Sequence, residues 1–157
     1  MTMELASAAF AAGERIPVRF TGDGEDFSPA LSWTGVPKGT KQLTLLCDDP
    51  DAPTPEPWVH WLIYMIPAET TGLPENVAKT DAPPKPAGSR QGKNSWGKLG
   101  YGGPAPPRGH GLHHYHFRLY ALDVELTLTP GQTKKDLLKV MKGHILAEDE
   151  FIGTYER

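Results

Sequence analysis

Three short segments hold the residue types that could do chemistry. The first is Asp48-Asp-Pro-Asp-Ala-Pro53, at the end of an apolar run. Carboxylates at a strand terminus are held by the fold yet open to a ligand, and the prolines stiffen the turn that aims them. Taken alone, the segment is better read as an ordinary polar turn that uses Asp and Pro for backbone reasons. The second is His60, inside the apolar run Trp58–Ile66 (WVHWLIYMI). A buried neutral imidazole needs a hydrogen-bond partner, and a carboxylate is a natural one. Asp51 lies nine residues upstream, so adjacent antiparallel strands would bring the two together; a core histidine satisfied by other neighbours is the plainer alternative. The third is Pro106-Pro-Arg-Gly-His-Gly-Leu-His-His-Tyr115, and four of the six histidines fall between His110 and His116. Both His113 and Tyr115 present hydrogen-bond donors, and a strand entered from a Gly-rich loop is a good place to offer them to an anion.

The elements that must position these residues read mostly as strands. In Lys41–Asp49, Leu43, Leu45 and Cys47 share one face and Thr44, Leu46 and Asp48 the other. Trp58–Ile66 is apolar on both faces, as in a strand buried within a sheet. In Leu112–Val124, alternation sends His113, Tyr115, Phe117, Leu119 and Ala121 to the core and His114, His116 and Arg118 to the opposite face. Val18–Phe20, Leu31–Trp33 and Leu126–Thr129 are shorter strand candidates, bounded like the others by prolines. One helix is predicted, opened by a capping-box variant at Thr133-Lys-Lys-Asp136. Its apolar spacing runs through Leu137, Leu138, Val140 and Met141 to Ile145 and Leu146, with Gly143 as a breaking point. Between Ala78 and Gly111 lie 34 residues with eight Gly, six Pro and no convincing period. So long an irregular segment in a small domain is a functional loop.

Composition bounds the answer. In 157 residues there are 17 glycines and 16 prolines, about one residue in five against an average of roughly 12%. Such a chain turns often and excludes an all-helical bundle. Strands in series with one late helix point to a β-sandwich or mixed β domain rather than alternating βαβ. A net charge of −3 lacks the basic excess of a nucleic-acid-binding protein. Six basic residues lie between Lys79 and Arg108, and six acids without a Lys or Arg between Asp48 and Glu75. These are solvated loops of opposite sign or a basic rim around an anion site. Cys47 is the single cysteine, which forbids an internal disulfide and fits a reducing compartment. No apolar run approaches the ~20 residues of a membrane span, and the N-terminal residues do not resemble a secretory signal, so a cytoplasmic location is expected.

Competing chemistries are weaker. Asp49-x-Asp51 after an apolar strand resembles the nucleophile motif of aspartate-dependent phosphatases, but that chemistry sits on a doubly wound fold with alternating helices. His114-x-His116 on one strand face has metal-ligand spacing, though such pairs also occur by chance. The glycines from Gly97 to Gly103 lack the following helix of a phosphate loop.

Together the segments resemble the phosphatidylethanolamine-binding protein family, in its bacterial Raf-kinase-inhibitor-like branch. Asp49-Pro-Asp-Ala-Pro53, Trp58-Val-His-Trp61, Gly100-Tyr-Gly-Gly-Pro-Ala-Pro-Pro107 and Gly111-Leu-His-His-Tyr115 carry the likeness, in order across almost the whole chain. Ser28–Trp33 with Gly35–Pro37, Gly143–Ala147 and Gly153–Tyr155 support it. The resemblance implies one domain over 1–157, a mainly β Greek-key sandwich with a C-terminal helix and a long Gly/Pro-rich loop. It also implies a small pocket for phosphate-like anions at one end, with Asp49, Asp51, His60, Ala105, Pro106, His113 and Tyr115 as ligand-binding residues. Ala105 stands where some relatives have glycine, and His114 where relatives often carry arginine. The implied function is binding without catalysis: a small anionic or phosphorylated ligand, no cofactor or metal, and regulation of a protein kinase or protease by analogy. A homodimer is expected, with no nucleic-acid partner and no stable membrane insertion. The alternative is a hydrolase or metal-dependent enzyme using the Asp/His cluster. Two carboxylates repel a phosphoryl group, so the aspartates are expected to orient and charge the imidazoles. Phosphate affinity would then rise as pH falls from about 8 to 6, around the reference histidine pKa of ~6.5.

Overall fold

Period-two alternation of apolar residues builds two antiparallel sheets in this chain. The structure, a computed structural model, describes residues 2–157. Its elements run β1 (Glu4–Ala6), β2 (Leu31–Thr34), β3 (Gln42–Asp49), β4 (Trp58–Pro67), β5 (Gly72–Leu73), β6 (Arg90–Gln91), β7 (His113–Leu122), α1 (Lys134–Met141) and β8 (Ile145–Tyr155). The small sheet has the order β1-β2-β5 and the large one β6-β4-β3-β7-β8. β3 is central, paired with β4 on one side and β7 on the other.

The large sheet is covered on both faces, which explains why β4 is apolar on both. One face brings Leu43, Leu45, Trp61, Ile63, Phe117 and Leu119 against Leu5, Leu31 and Trp33 of the small sheet. The other packs Leu46, Leu62, Tyr64 and Leu122 against Leu137 and Met141 of α1. Each such side chain taken wholly out of water contributes about 1.5–3 kcal/mol. The helix starts as the sequence predicts. The Thr133 side chain accepts from the Asp136 N–H at 3.2 Å, and the Asp136 carboxylate accepts from the Thr133 N–H at 3.1 Å.

Three local expectations change. The helix ends at Met141, and Ile145 and Leu146 open β8 instead of extending it. Gly143 sits in the left-handed region (φ +84°) and turns the chain there. β8 then pairs along β7 from Leu122↔Ile145 to His113↔Tyr155. Val18–Phe20 is a single 3-10 turn, closed by the Phe20 N–H on the Pro17 carbonyl at 3.0 Å. Leu126–Thr129 forms no strand; Leu126 fills the helix-side core, and its N–H donates to the Gln42 side chain at 2.8 Å.

The long Gly/Pro segment is irregular, as predicted, but tied down by buried polar side chains. Gln91 donates to the Ala78 and Thr80 carbonyls at 2.7 and 2.8 Å, and Asn94 to the Gly100 carbonyl at 3.0 Å. The Tyr101 hydroxyl reaches the Phe20 carbonyl at 2.7 Å. Among the described residues no helix is long and apolar enough to cross a membrane.

Candidate functional site

β3, β4 and β7 end together, and the loops beyond them enclose a cavity of about 240 Å³. Asp49, His60, Ala105, Pro106, His113 and Tyr115 line it, joined by Ala52, Pro53, Thr54, Trp58, Trp96 and Pro107. Alternation alone puts Asp49 on the face of Leu45 and Cys47, and His113 and Tyr115 on the face of Phe117. His60 needs more than alternation. Cys47 pairs with Trp61 and Asp48 with Val59, so His60 is the extra residue of a β-bulge. Val59 belongs to the helix-side core and Trp61 to the inter-sheet core. A bulge re-aims a side chain in this way, and here it turns His60 to the pocket, with its ring 5.0 Å from Tyr115 in edge contact.

His60 takes a backbone partner, not a carboxylate. Its Nδ1 lies 2.6 Å from the Gly102 carbonyl, and a carbonyl can only accept, so Nδ1 carries the proton. The Gly102 N–H returns a bond to the His60 carbonyl at 2.9 Å. Burial pushes the imidazole below the usual histidine range, against the upward pull of the Gly102 bond and of Asp49. His60 is therefore neutral, and its Nε2 is a lone-pair acceptor. This corrects the expectation that an aspartate charges this ring.

The aspartate–imidazole pairing holds at Asp49 and His113. The Asp49 Oδ2 lies 2.6 Å from His113 Nδ1 with both side chains almost wholly buried. Its Oδ1 accepts from the Asp51 N–H at 2.8 Å. Tyr115 is 1% exposed, and burial together with the Asp49 charge drives its phenol far above the ordinary range, so it stays protonated. Among the described residues neither the Tyr115 hydroxyl nor His60 Nε2 has a hydrogen-bond partner, and neither is sealed from solvent.

Asp51 and His114 belong outside the cavity. Asp51 accepts from the His114 N–H and faces His114 Nδ1, each at 2.8 Å. Partial burial raises the Asp51 carboxyl, but the His114 bonds outweigh it and hold the group below its usual range. Asp51 thus fastens the β3–β4 turn to the start of β7 and, through its N–H, orients Asp49. None of the six basic residues between Lys79 and Arg108 lines the cavity, and Lys79 instead pairs with Asp26 at 3.1 Å. Among the described residues no cluster of three or more His, Cys, Asp or Glu is arranged to hold a metal.

The sequence reading missed the aromatic wall. Trp96 stands edge-on to His60 at 5.1 Å and to Trp58 at 5.5 Å. No periodicity marks Asn94-Ser-Trp-Gly97; the only trace is Gly102, where a Cβ would lie 2.4 Å from the Trp96 ring. On the opposite face Asp48, 1% exposed, accepts from Arg118 at 3.0 Å and Lys134 at 2.7 Å, anchoring the start of α1 to the sheet.

An antiparallel β-sandwich with a small Asp/His/Tyr pocket at the strand ends defines the class. The chain matches the model of the phosphatidylethanolamine-binding protein family over residues 6–156. It belongs to that family. A UPF0098 protein of Methanothermobacter thermautotrophicus is 54% identical over 155 residues, covering 99% of each chain. The crystal structure of Escherichia coli YbcL superposes with a TM-score of 0.93 at 33% identity, covering 100% of this chain and 99% of that one. A homologue from Chlamydia trachomatis gives 0.89 at 38% identity, covering 99% and 98%.

Proposed function

We propose that the protein is a binding protein without turnover, whose pocket takes one small phosphoryl-type anion together with a proton. One observation carries this: two buried side chains, His60 and Tyr115, keep a polar end unpaired on a cavity of about 240 Å³. Both ends face the cavity with no protein partner, so a compact, hydrogen-bonding ligand can pair with them in place of water. Tyr115 donates. His60 Nε2 accepts, so the ligand must itself offer a proton, as a singly protonated phosphoryl oxygen does. Asp49 brings negative charge to the wall, so a dianion is admitted only where a cation balances it, and the His113 ring, held 2.6 Å from the Asp49 carboxylate, is the group placed to carry that charge.

Calorimetric titration with inorganic phosphate and with sulfate at pH 8, 7 and 6 tests this. Sulfate keeps its charge over this range, so any change in its affinity reports protein groups. Phosphate is expected to bind tighter than sulfate at pH 7, and both to tighten toward pH 6. Sulfate binding independent of pH, with phosphate binding unchanged in His113→Ala, would sink the reading. A phosphatase and esterase screen tests the absence of turnover; activity abolished by His60→Ala would replace binding with hydrolysis. Regulation of a kinase or protease by direct binding, as a cytoplasmic homodimer of one-domain chains, extends the reading by family analogy. Leu138, Val140, Ile145 and Leu146, left 36–43% exposed, offer apolar surface for the dimer, and sedimentation velocity reads it directly.

A further inference from the structure

His113 has one ring atom to offer a ligand, and a neighbouring side chain already occupies it. Asp49 fixes Nδ1 as a donor, which leaves Nε2. That nitrogen lies 2.6 Å from Nδ1 of His110, with the rings tilted 58° to one another. Two imidazole nitrogens at this distance share one proton. Either His110 donates to a neutral His113 or a cationic His113 donates to His110. In both cases Nε2 is spent.

We propose that His110 caps His113, as an internal competitor that an anion entering the adjoining cavity displaces from His113 Nε2. The proposal rests on the anion-pocket reading above. His110 is exposed and does not line the cavity, whereas His113 is 1% exposed and does, so the cap sits beside the cavity, on the solvent side of the buried Asp49–His113 pair. Its backbone is held by its own N–H on the Pro107 carbonyl and by the Gly109 N–H on the Arg157 carbonyl, both at 3.2 Å. Its side chain has the His113 bond alone among the described residues. The flanking Gly109 (φ +76°) and Gly111 (φ +100°) have nothing within 4 Å of a Cβ. Backbone shape, not crowding, explains those glycines, and the exposed His110 side chain borders water into which it can turn.

The exchange favours charge. Where His110 donates to a neutral His113, an anion that arrives with a proton leaves a cationic His113 and replaces the neutral imidazole–imidazole bond with a charge-assisted one, which is roughly twice as strong. A neutral molecule gains no such advantage and leaves the cap in place. The cap therefore lowers affinity for every ligand by the worth of one hydrogen bond while selecting for anions.

Calorimetry with inorganic phosphate at pH 7 tests the cap on wild type, His110→Ala, His110→Asn, His113→Ala and the double variant His110→Ala/His113→Ala. His110→Ala should bind phosphate about two- to tenfold tighter, the range set by the net worth of one hydrogen bond. His110→Asn, whose amide donates from about the Nδ1 position, should fall between the two. In the His113→Ala background, removing His110 should change nothing. If wild-type binding depends on His113 but His110→Ala binds no tighter, the anion site stands and the cap is refuted. If neither wild type nor His110→Ala binds phosphate, the anion reading fails and takes the cap with it.

Discussion

The neutrality of His60 makes stability depend on pH in a calculable way. In the unfolded chain this imidazole titrates near the reference value of ~6.5. In the folded protein burial holds it below that range. Between the two values the unfolded state binds a proton that the folded state refuses, so stability falls as pH falls. The limiting slope is one proton, about 1.4 kcal/mol per pH unit. From pH 7 to pH 5 the integrated loss from this one residue reaches at most about 1.9 kcal/mol, if the folded ring takes up no proton above pH 5. Urea melts of wild type and His60→Asn at pH 7, 6 and 5 and constant ionic strength isolate this contribution. The asparagine amide can still donate to the Gly102 carbonyl and has no titration of its own. The variant should be less stable at pH 7, because part of a buried ring is missing. Its deficit should shrink toward pH 5 by up to the calculated amount. A deficit that stays constant or widens would show that His60 is not held neutral, and the acceptor role assigned to Nε2 would go with it.

Two further perturbations separate the site from its supports. Asp48→Asn removes the carboxylate that accepts from both Arg118 and Lys134. The two cations keep 28% and 25% side-chain exposure, so water partly replaces their partner. The expected cost is about 1–3 kcal/mol by denaturant melt, with phosphate affinity within twofold of wild type because the pair lies on the helix side of the sheet; a large affinity change would mean that the two faces are coupled. Gly102→Ala places a Cβ 2.4 Å from the Trp96 ring and should push that indole, already 44% exposed, out of the pocket wall. A red-shifted tryptophan emission with weakened phosphate binding is expected, and an unchanged spectrum would refute the wall as described.

Much of the site was legible because a strand's side chains obey a local rule. With a period of two, Asp49 shares the face of Cys47, and His113 and Tyr115 that of Phe117, whatever lies across the sheet. Proline and glycine likewise marked the turns, and Thr133 and Asp136 the start of α1, since these preferences act within a few residues. The end of α1 was less legible, because Ile145 and Leu146 continue a helical spacing and only pairing with β7 makes them a strand. The orientation of His60 depends on a bulge, a mismatch between two strands that neither strand's own pattern contains. Its partner, the Gly102 carbonyl, and its aromatic neighbour Trp96 arrive from a loop with no period to read. His110 was visible as one histidine among four, yet only the folded chain sets it against His113. The sequence by itself determined which residues alternate toward the core and where the chain must turn. The tertiary structure decided which polar atoms are already spent on each other and which remain for a ligand, because hydrogen-bond satisfaction depends on partners far apart in the chain.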